Sequence, residues 1–159
     1  MAEQMRAQRG LYFEDFSVGM ALETHGRTIT ESDILGFAGI SGDFNPMHTD
    51  ETYAQGTQFR KRVAHGLLGL SIASGLAYQM GFLDGTVIAF TNLEWKFRAP
   101  VFIGDTLRVQ VKVIKLREMR QAGGGFVTLD MKVVNQDGIV TQKGEWTILV
   151  ASKPQAAAD

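Results

Sequence analysis

The chain has no cysteine among its 159 residues. This absence excludes disulfide bridges, cysteine-ligated zinc sites and a thiol nucleophile, and it fits a reducing compartment. Neither sign of charge is in excess, because 16 lysine and arginine residues stand against 17 aspartate and glutamate residues. The formal net charge of −1 gives no bulk attraction to nucleic acid or to an anionic membrane.

The chain also lacks the basic and then apolar pattern of a secretory signal, because its first residues are polar. We expect residues 1–10 to be disordered and the alanine-rich residues 153–159 to form a flexible tail. Residues 11–152 contain no internal repeat and no linker, and they suffice for one domain with its own core. The sequence thus predicts a single-domain, cytoplasmic protein.

Long apolar runs are rare, and the one exception spans residues 63–80. Almost no polar face remains if this stretch is helical, which predicts a helix buried on all sides. A membrane span is the alternative, since the length is suitable. His65, Gln79 and three glycines in the run favour a helix in the core of a soluble protein.

The second half alternates apolar and polar residues, as strands with one buried face do. The alternation covers residues 107–113, 127–133 and 145–150. Residues 86–98 form a fourth strand, with Leu93, Trp95 and Phe97 on one face. These strands and one buried helix predict an α+β fold in which an antiparallel sheet wraps around the helix. An uncovered sheet edge would be paired with a second copy of the chain in a dimer.

Residues 41–48 read Ser-Gly-Asp-Phe-Asn-Pro-Met-His and separate a carboxylate from an imidazole by five positions. Pro46 prevents a continuous helix, and Gly42 permits a sharp turn before the acid. Asp43 and His48 can therefore point to one place, as general acid–base chemistry requires. The alternative is a turn in which Asp43 caps backbone N–H groups and His48 lies near a helix start.

Gly66 lies in the first turn of the predicted helix. The N-terminus of a helix has unpaired N–H donors and a partial positive charge. Because glycine has no side chain, its N–H could approach an anionic oxygen closely and form an oxyanion hole. Close packing of the helix against the sheet would explain the same glycine equally well.

Three segments together resemble the MaoC-like (R)-specific enoyl-CoA hydratases. They are residues 37–48 with Ala54 six positions later, residues 62–68 and residues 97–106. They occur in matching order, and the likeness extends over about residues 12–150. That family has the hot-dog fold, a sheet around one long helix. Met47 stands where the family usually has a branched aliphatic residue, and methionine is a soft substitute of similar volume.

The resemblance implies a hydro-lyase that adds water reversibly to trans-2-enoyl-CoA and yields (R)-3-hydroxyacyl-CoA. By the family pattern, Asp43 and His48 would hold one water between them, and the Gly66 N–H would bind the thioester oxygen. Asn45 would orient the pair through its amide. Ser74 matches a family position near the site, although its hydroxyl can instead bond to the preceding helical turn. We expect no metal and no separate cofactor, because coenzyme A is part of the substrate.

Basic residues near these motifs suggest where coenzyme A would bind. Arg60, Arg62 or Arg98 would meet its phosphates, since guanidinium groups match phosphate geometry; the alternative is a solvated loop. His25 and His65 are interpreted as structural or surface residues.

Two further classes of function stay open. One is a hot-dog enzyme of another type, either a dehydratase for acyl-carrier-protein substrates or a thioesterase. The other is a non-catalytic acyl-binding subunit, against which the intact Asp43 and His48 pair argues. The acyl chain length accepted would depend on how Phe37, Phe44, Tyr53 and side chains of the long helix shape a tunnel, which the order of the residues does not give. The expected assembly is a homodimer or a larger homo-oligomer built from dimers.

Overall fold

A computed structural model describes residues 9–154 of the chain. Within this range it has four α-helices, six strands and two short 3₁₀ turns. The helices are α1 (Glu31–Ser41), α2 (Pro46–Thr49), α3 (Glu51–Gln55) and α4 (Gly66–Gln79). The strands are β1 (Ala21–Glu23), β2 (Arg27–Thr28), β3 (Val87–Phe97), β4 (Thr106–Met119), β5 (Gly124–Val134) and β6 (Val140–Ala151). The 3₁₀ turns are Phe13–Asp15 and Arg120–Ala122.

The strands form one antiparallel sheet in the order β1-β4-β5-β6-β3, and β2 also pairs with β4. Leu129 lies opposite Trp146 in the register of β5 and β6. Both side chains are buried, because alternate residues of the central strands face the core. The predicted antiparallel sheet is therefore confirmed.

The long helix α4 begins at Gly66, three residues later than the sequence predicts. The preceding residues are extended because they pair with the chain near residue 102. Val63 forms an isolated bridge with Phe102, and the Ala64 N–H donates to the Val101 carbonyl. One side of α4 packs on the sheet with the buried side chains Leu68, Ile72, Ala73, Leu76 and Ala77.

The opposite side of α4 is exposed in this chain, so the prediction of a helix buried on all sides is wrong. The sheet covers only one side of the helix. The uncovered side presents Leu67, Ser71, Ser74, Gly75 and Tyr78. No helix within residues 9–154 is long and apolar enough to cross a membrane.

Strand β3 also differs from the prediction of one buried apolar face. Leu93 and Phe97 are exposed, and Trp95 is half-buried. The physical reason is position, because β3 is at the end of the sheet and pairs only with β6 among the described strands.

Most of the predicted disordered segment and flexible tail lies outside the described residues. At their inner ends, the Gly10 N–H donates to the Gly81 carbonyl at 2.9 Å. The Lys153 N–H donates to the Glu14 carboxylate at 3.0 Å, and this bond is the main reason why the pKa of Glu14 is lowered.

Candidate active site

The loop after α1 is built from short-range hydrogen bonds. α1 ends at Gly42, whose φ of 77° lies in the left-handed region that glycine adopts easily. The Asp43 N–H donates to the Ser41 hydroxyl, and the Asn45 N–H donates to the Asp43 carboxylate, each at 3.2 Å. The Asn45 side-chain oxygen in turn caps α2 by accepting from the Met47 N–H at 3.3 Å. These bonds hold the Asp43 carboxylate at the turn.

His48 lies on the helical turn of α2 and not in the irregular loop, because Pro46 occupies the first helical position, where proline is favoured. The imidazole is 8% exposed. Its Nδ1 is 2.7 Å from the Val63 carbonyl oxygen, which can only accept, so Nδ1 bears the proton. The neutral ring therefore has its lone pair on Nε2. This atom is 4.0 Å from Oδ2 of Asp43, so the predicted pair is brought together.

His65 connects the two members of this pair. Its ring stacks on the His48 ring with centroids 3.9 Å apart and planes inclined by 27°. Its Nε2 donates to the Asp43 carbonyl at 2.9 Å, which agrees with the interpretation of His65 as a structural residue. Its Nδ1 is buried, with no hydrogen-bond partner in residues 9–154.

Within residues 9–154, three side chains also lie close enough together to be considered as metal ligands: Asp43, His48 and His65. Each offers one possible ligand atom, and these atoms all lie within 4.8 Å of one another. An imidazole coordinates through a lone pair in the plane of its ring. Two stacked rings with nearly parallel planes cannot both direct in-plane lone pairs to one ion. The arrangement therefore suits a hydrogen-bonded acid–base pair better than a metal centre.

Arg62 is directed inward, to the backbone of His48. Its Nε donates to the His48 carbonyl at 2.8 Å, and its Nη1 pairs with the Glu31 carboxylate at 2.5 Å. The side chain is only 10% exposed. Two of the three guanidinium nitrogens are thus bound to protein groups, and Nη2 is buried without a hydrogen-bond partner in residues 9–154. The side chains of Arg60 and Arg98 are exposed.

A cavity of about 660 Å³ opens beside His48 and the start of α4. Gly66 is the first residue of α4, and both Gly66 and His48 line the cavity. A Cβ at Gly66 would lie 2.7 Å from the Phe97 ring, so the glycine also permits close packing. The remaining lining residues are mostly apolar: Met47, Phe59, Val63, Ala64, Leu67, Phe97, Arg98, Ala99, Pro100, Val101 and Gln142.

Several predicted residues lie away from this cavity. Ser74 is exposed and its hydroxyl donates to the Ser71 carbonyl at 2.7 Å, as the alternative interpretation held. Phe37, Phe44 and Tyr53 do not line this cavity, whereas Leu67 of α4 does.

Gln142 is a polar lining residue that the sequence analysis did not single out. It is 2% exposed. Its hydrogen-bond partners lie on distant segments, so nothing in its own stretch of sequence marked it.

The family model for the MaoC like domain matches residues 15–135 of this chain. The chain belongs to the MaoC-like domain family. The (R)-specific enoyl-CoA hydratase of Rhodospirillum rubrum is 39% identical over 142 residues, which are 89% of this chain and 93% of that protein. The resemblance inferred from the motifs is therefore confirmed.

Two solved structures have an architecture similar to that of this chain. The monoamine oxidase regulatory protein of Archaeoglobus fulgidus is 37% identical with a TM-score of 0.86, over 93% of this chain and 99% of that one. A conserved hypothetical protein of Mycobacterium tuberculosis with a double hot-dog fold is 19% identical with a TM-score of 0.79. The match covers 94% of this chain and 47% of the Mycobacterium tuberculosis chain. The predicted hot-dog fold is confirmed.

Proposed function

We propose that this MaoC-like protein is a hydro-lyase that adds water to trans-2-enoyl-CoA and forms (R)-3-hydroxyacyl-CoA. The similarity to the Rhodospirillum rubrum (R)-specific enoyl-CoA hydratase supports the reaction class. Asp43 and His48 are the proposed acid–base pair, and Asn45 holds the Asp43 loop as the cap of α2. Gly66 is the proposed oxyanion-hole donor. The reaction needs no metal and no cofactor, since coenzyme A is part of the substrate.

The observation that carries the proposal is the 4.0 Å separation between Asp43 Oδ2 and His48 Nε2. It is too long for a direct hydrogen bond, which spans about 2.8 Å. It leaves room for one water oxygen at hydrogen-bond distance from both atoms. The same His48 ring borders an apolar cavity that suits an acyl chain.

The His48 tautomer suggests how protons move. Because Nδ1–H donates to the Val63 carbonyl, the free lone pair on Nε2 can take a proton from the shared water. The water oxygen then bonds to the β-carbon of the substrate, and the pair returns one proton to the α-carbon. Overall, one water molecule is added and both catalytic groups regain their starting protonation.

Negative charge develops on the thioester oxygen as water adds to the β-carbon. The Gly66 N–H is proposed to bind that oxygen, because it is an unpaired donor at the helix start beside the cavity. One fixed donor of this kind typically lowers the barrier by about 3–4 kcal/mol. Arg60 and Arg98 are the better candidates for the coenzyme A phosphates, since the Arg62 guanidinium is bound within the protein.

The test is the loss of conjugated enoyl-thioester absorbance across trans-2-enoyl-CoA substrates of increasing length. We expect saturable turnover, and chiral separation of the product should give only the (R) isomer. Failure to hydrate any enoyl-CoA, or formation of the (S) isomer, would contradict the proposal. Release of free thiol from the same substrates would indicate a thioesterase instead. Preference for acyl-carrier-protein thioesters over matched CoA thioesters would indicate the other enzyme class.

A second copy of the chain is the proposed partner of strand β3. Its outer edge is unpaired among the described residues, and it exposes Ile88, Phe90, Leu93 and Phe97. Natural sheets cover such edges. Light scattering after size exclusion should give the mass of a dimer or of an even multiple, and a monomer would exclude this assembly.

A further inference from the structure

Gln142 has a buried amide whose two ends are both hydrogen-bonded. Its Oε1 accepts from the indole N–H of Trp95 at 2.9 Å, and its Nε2 donates to the Gly66 carbonyl at 3.0 Å. If the amide were turned over, its NH₂ group would face the indole N–H of Trp95, donor against donor. Its oxygen would face the Gly66 carbonyl oxygen, acceptor against acceptor. Only one orientation satisfies both neighbours, so the partners determine how the amide lies.

The helix α4 makes room for this amide at Gly69. A Cβ at Gly69 would lie 2.3 Å from Nε2 of Gln142 and 3.0 Å from its Cδ. Any other residue would therefore displace the amide from the Gly66 carbonyl. A glycine inside a helix costs about 1 kcal/mol relative to alanine, so its presence here is consistent with a need for that space.

The His65 side chain is anchored to the Asp43 carbonyl just before α4. The first turn of the helix itself has no side-chain cap bond in the described chain. Gly66 is a glycine, the residue type with the greatest backbone freedom. The Gln142 amide supplies an external hydrogen bond to this first turn from β6, a strand that is central in the sheet.

We infer that Gln142 is a positioning residue that fixes the first turn of α4 and, through the Gly66 Cα, keeps the Gly66 N–H in the orientation needed for oxyanion binding. The bonded Gly66 carbonyl belongs to the peptide after Gly66, and the N–H belongs to the peptide before it. The inference depends on the proposed function, in which the Gly66 N–H binds the thioester oxygen. Gln142 acts through Gly66, and Trp95 anchors the other end of its amide. An apolar residue of the same size would avoid the cost of a buried amide, but it would leave the glycine turn unsupported.

Two substitutions disturb this contact from opposite sides. Gln142→Met keeps the length of the side chain and removes the amide. Gly69→Ala leaves Gln142 in place and forces its amide away. We expect both variants to lower kcat by about 10- to 50-fold and to change KM by less than about threefold. This loss of kcat is smaller than the loss of about 10²- to 10³-fold that follows removal of an oxyanion donor itself. If Gly69 had no role beyond the helix itself, Gly69→Ala would stabilise the helix, because alanine has the higher helix propensity, and kcat would not fall.

The matched control is Thr141→Val on the same strand. The buried Thr141 hydroxyl donates to the Val133 carbonyl at 3.1 Å, a bond between β6 and β5 that does not involve α4. This variant should lose thermal stability but keep kcat and KM. If it loses kcat as the other two do, general destabilisation explains the effect and the inference is overturned.

Hydrogen–deuterium exchange of residues 64–70 tests the contact without reference to activity. We expect faster exchange of this peptide in Gln142→Met and Gly69→Ala, and no change in Thr141→Val. Unchanged exchange in the first two variants would refute the positioning contact even if the wild type is a hydratase. Faster exchange with wild-type kcat would refute its role in catalysis. A wild type without hydratase activity would refute the proposed function and, with it, a role in oxyanion binding, while exchange would still report on the contact.

Discussion

The two halves of the candidate site are built in different ways. The acid–base half is local: the Asp43 N–H bonds to Ser41 and the Asn45 N–H bonds to Asp43, each two residues away. The oxyanion half is assembled from distant segments, because Gln142 reaches Gly66 across 76 positions in the chain. A local arrangement can be recognised as a motif, whereas a distant one becomes visible only when the sheet and helix have packed.

His48 combines local and distant contacts. Its place on α2 follows from Pro46 and Asn45, but its ring is oriented by the Val63 carbonyl 15 residues later. The sequence motif thus supplies the reactive groups, while long-range contacts set their tautomer and direction.

The largest effect is expected from the acid–base half. Asp43→Asn and His48→Gln should each lower kcat by about 10³-fold, because neither amide can exchange a proton with water or carbon. Both variants should fold normally, as judged by thermal melting. His25→Gln is the control, since His25 is exposed on the segment between β1 and β2. Near-native turnover in either catalytic variant would remove that residue from the mechanism.

The oxyanion half can be tested by removing one N–H. Proline suits the first position of a helix, and the preceding His65 has the extended conformation that a following proline requires, with φ −56° and ψ 135°. Gly66→Pro should therefore retain the helix but lower kcat by about 10²-fold relative to Gly66→Ala. Alanine is the matched control, because it adds the same Cβ beside Phe97 and keeps the N–H. Equal rates in the two variants would exclude the Gly66 N–H as the donor.

A distant contact of the acid–base half is the bond from Arg62 to the backbone of His48. Arg62→Met removes the bond to the His48 carbonyl, and we expect kcat to fall about tenfold with KM nearly unchanged, because the imidazole shifts. Arg60→Ala and Arg98→Ala should instead raise KM for acyl-CoA with kcat unchanged, if they meet the phosphates. A rise in KM as the main effect of Arg62→Met would return this residue to the coenzyme A site.

The smallest effect is expected at a local feature outside the site. Thr30 caps α1 by accepting from the Asp33 N–H, and the Asp33 carboxylate accepts from the Thr30 N–H in return. Thr30→Ala should lower the free energy of unfolding by about 1 kcal/mol and leave kcat unchanged. Denaturant unfolding measures the first quantity. A marked loss of kcat would mean that the position of α1 controls the Asp43 loop.

Much of the fold could be predicted because its signals lie within a few residues. The period-two alternation predicted the central strands, and the Thr30 to Asp33 pattern is typical of a helix start. Errors arose where the predicted burial needs a covering element that residues 9–154 do not supply. Leu93 and Phe97 of β3 and one side of α4 are exposed because the sheet does not cover them.

For the site, residues 41–48 identified Asp43 and His48, and the helix start identified Gly66. The interior role of Arg62 and the buried amide of Gln142 were not predictable, since their hydrogen-bond partners lie 14 and 76 positions away. Nothing in the neighbourhood of either residue distinguishes it from a surface residue.

The amino-acid sequence by itself determined the turn at Gly42, the cap at Asn45 and the reactive groups of the loop, because glycine, proline and short polar side chains constrain the backbone near them. Tertiary structure alone decided which His48 nitrogen is free, where Arg62 points and what supports Gly66. Those outcomes depend on carbonyl groups and amides that only the packed sheet and helix bring within hydrogen-bond distance.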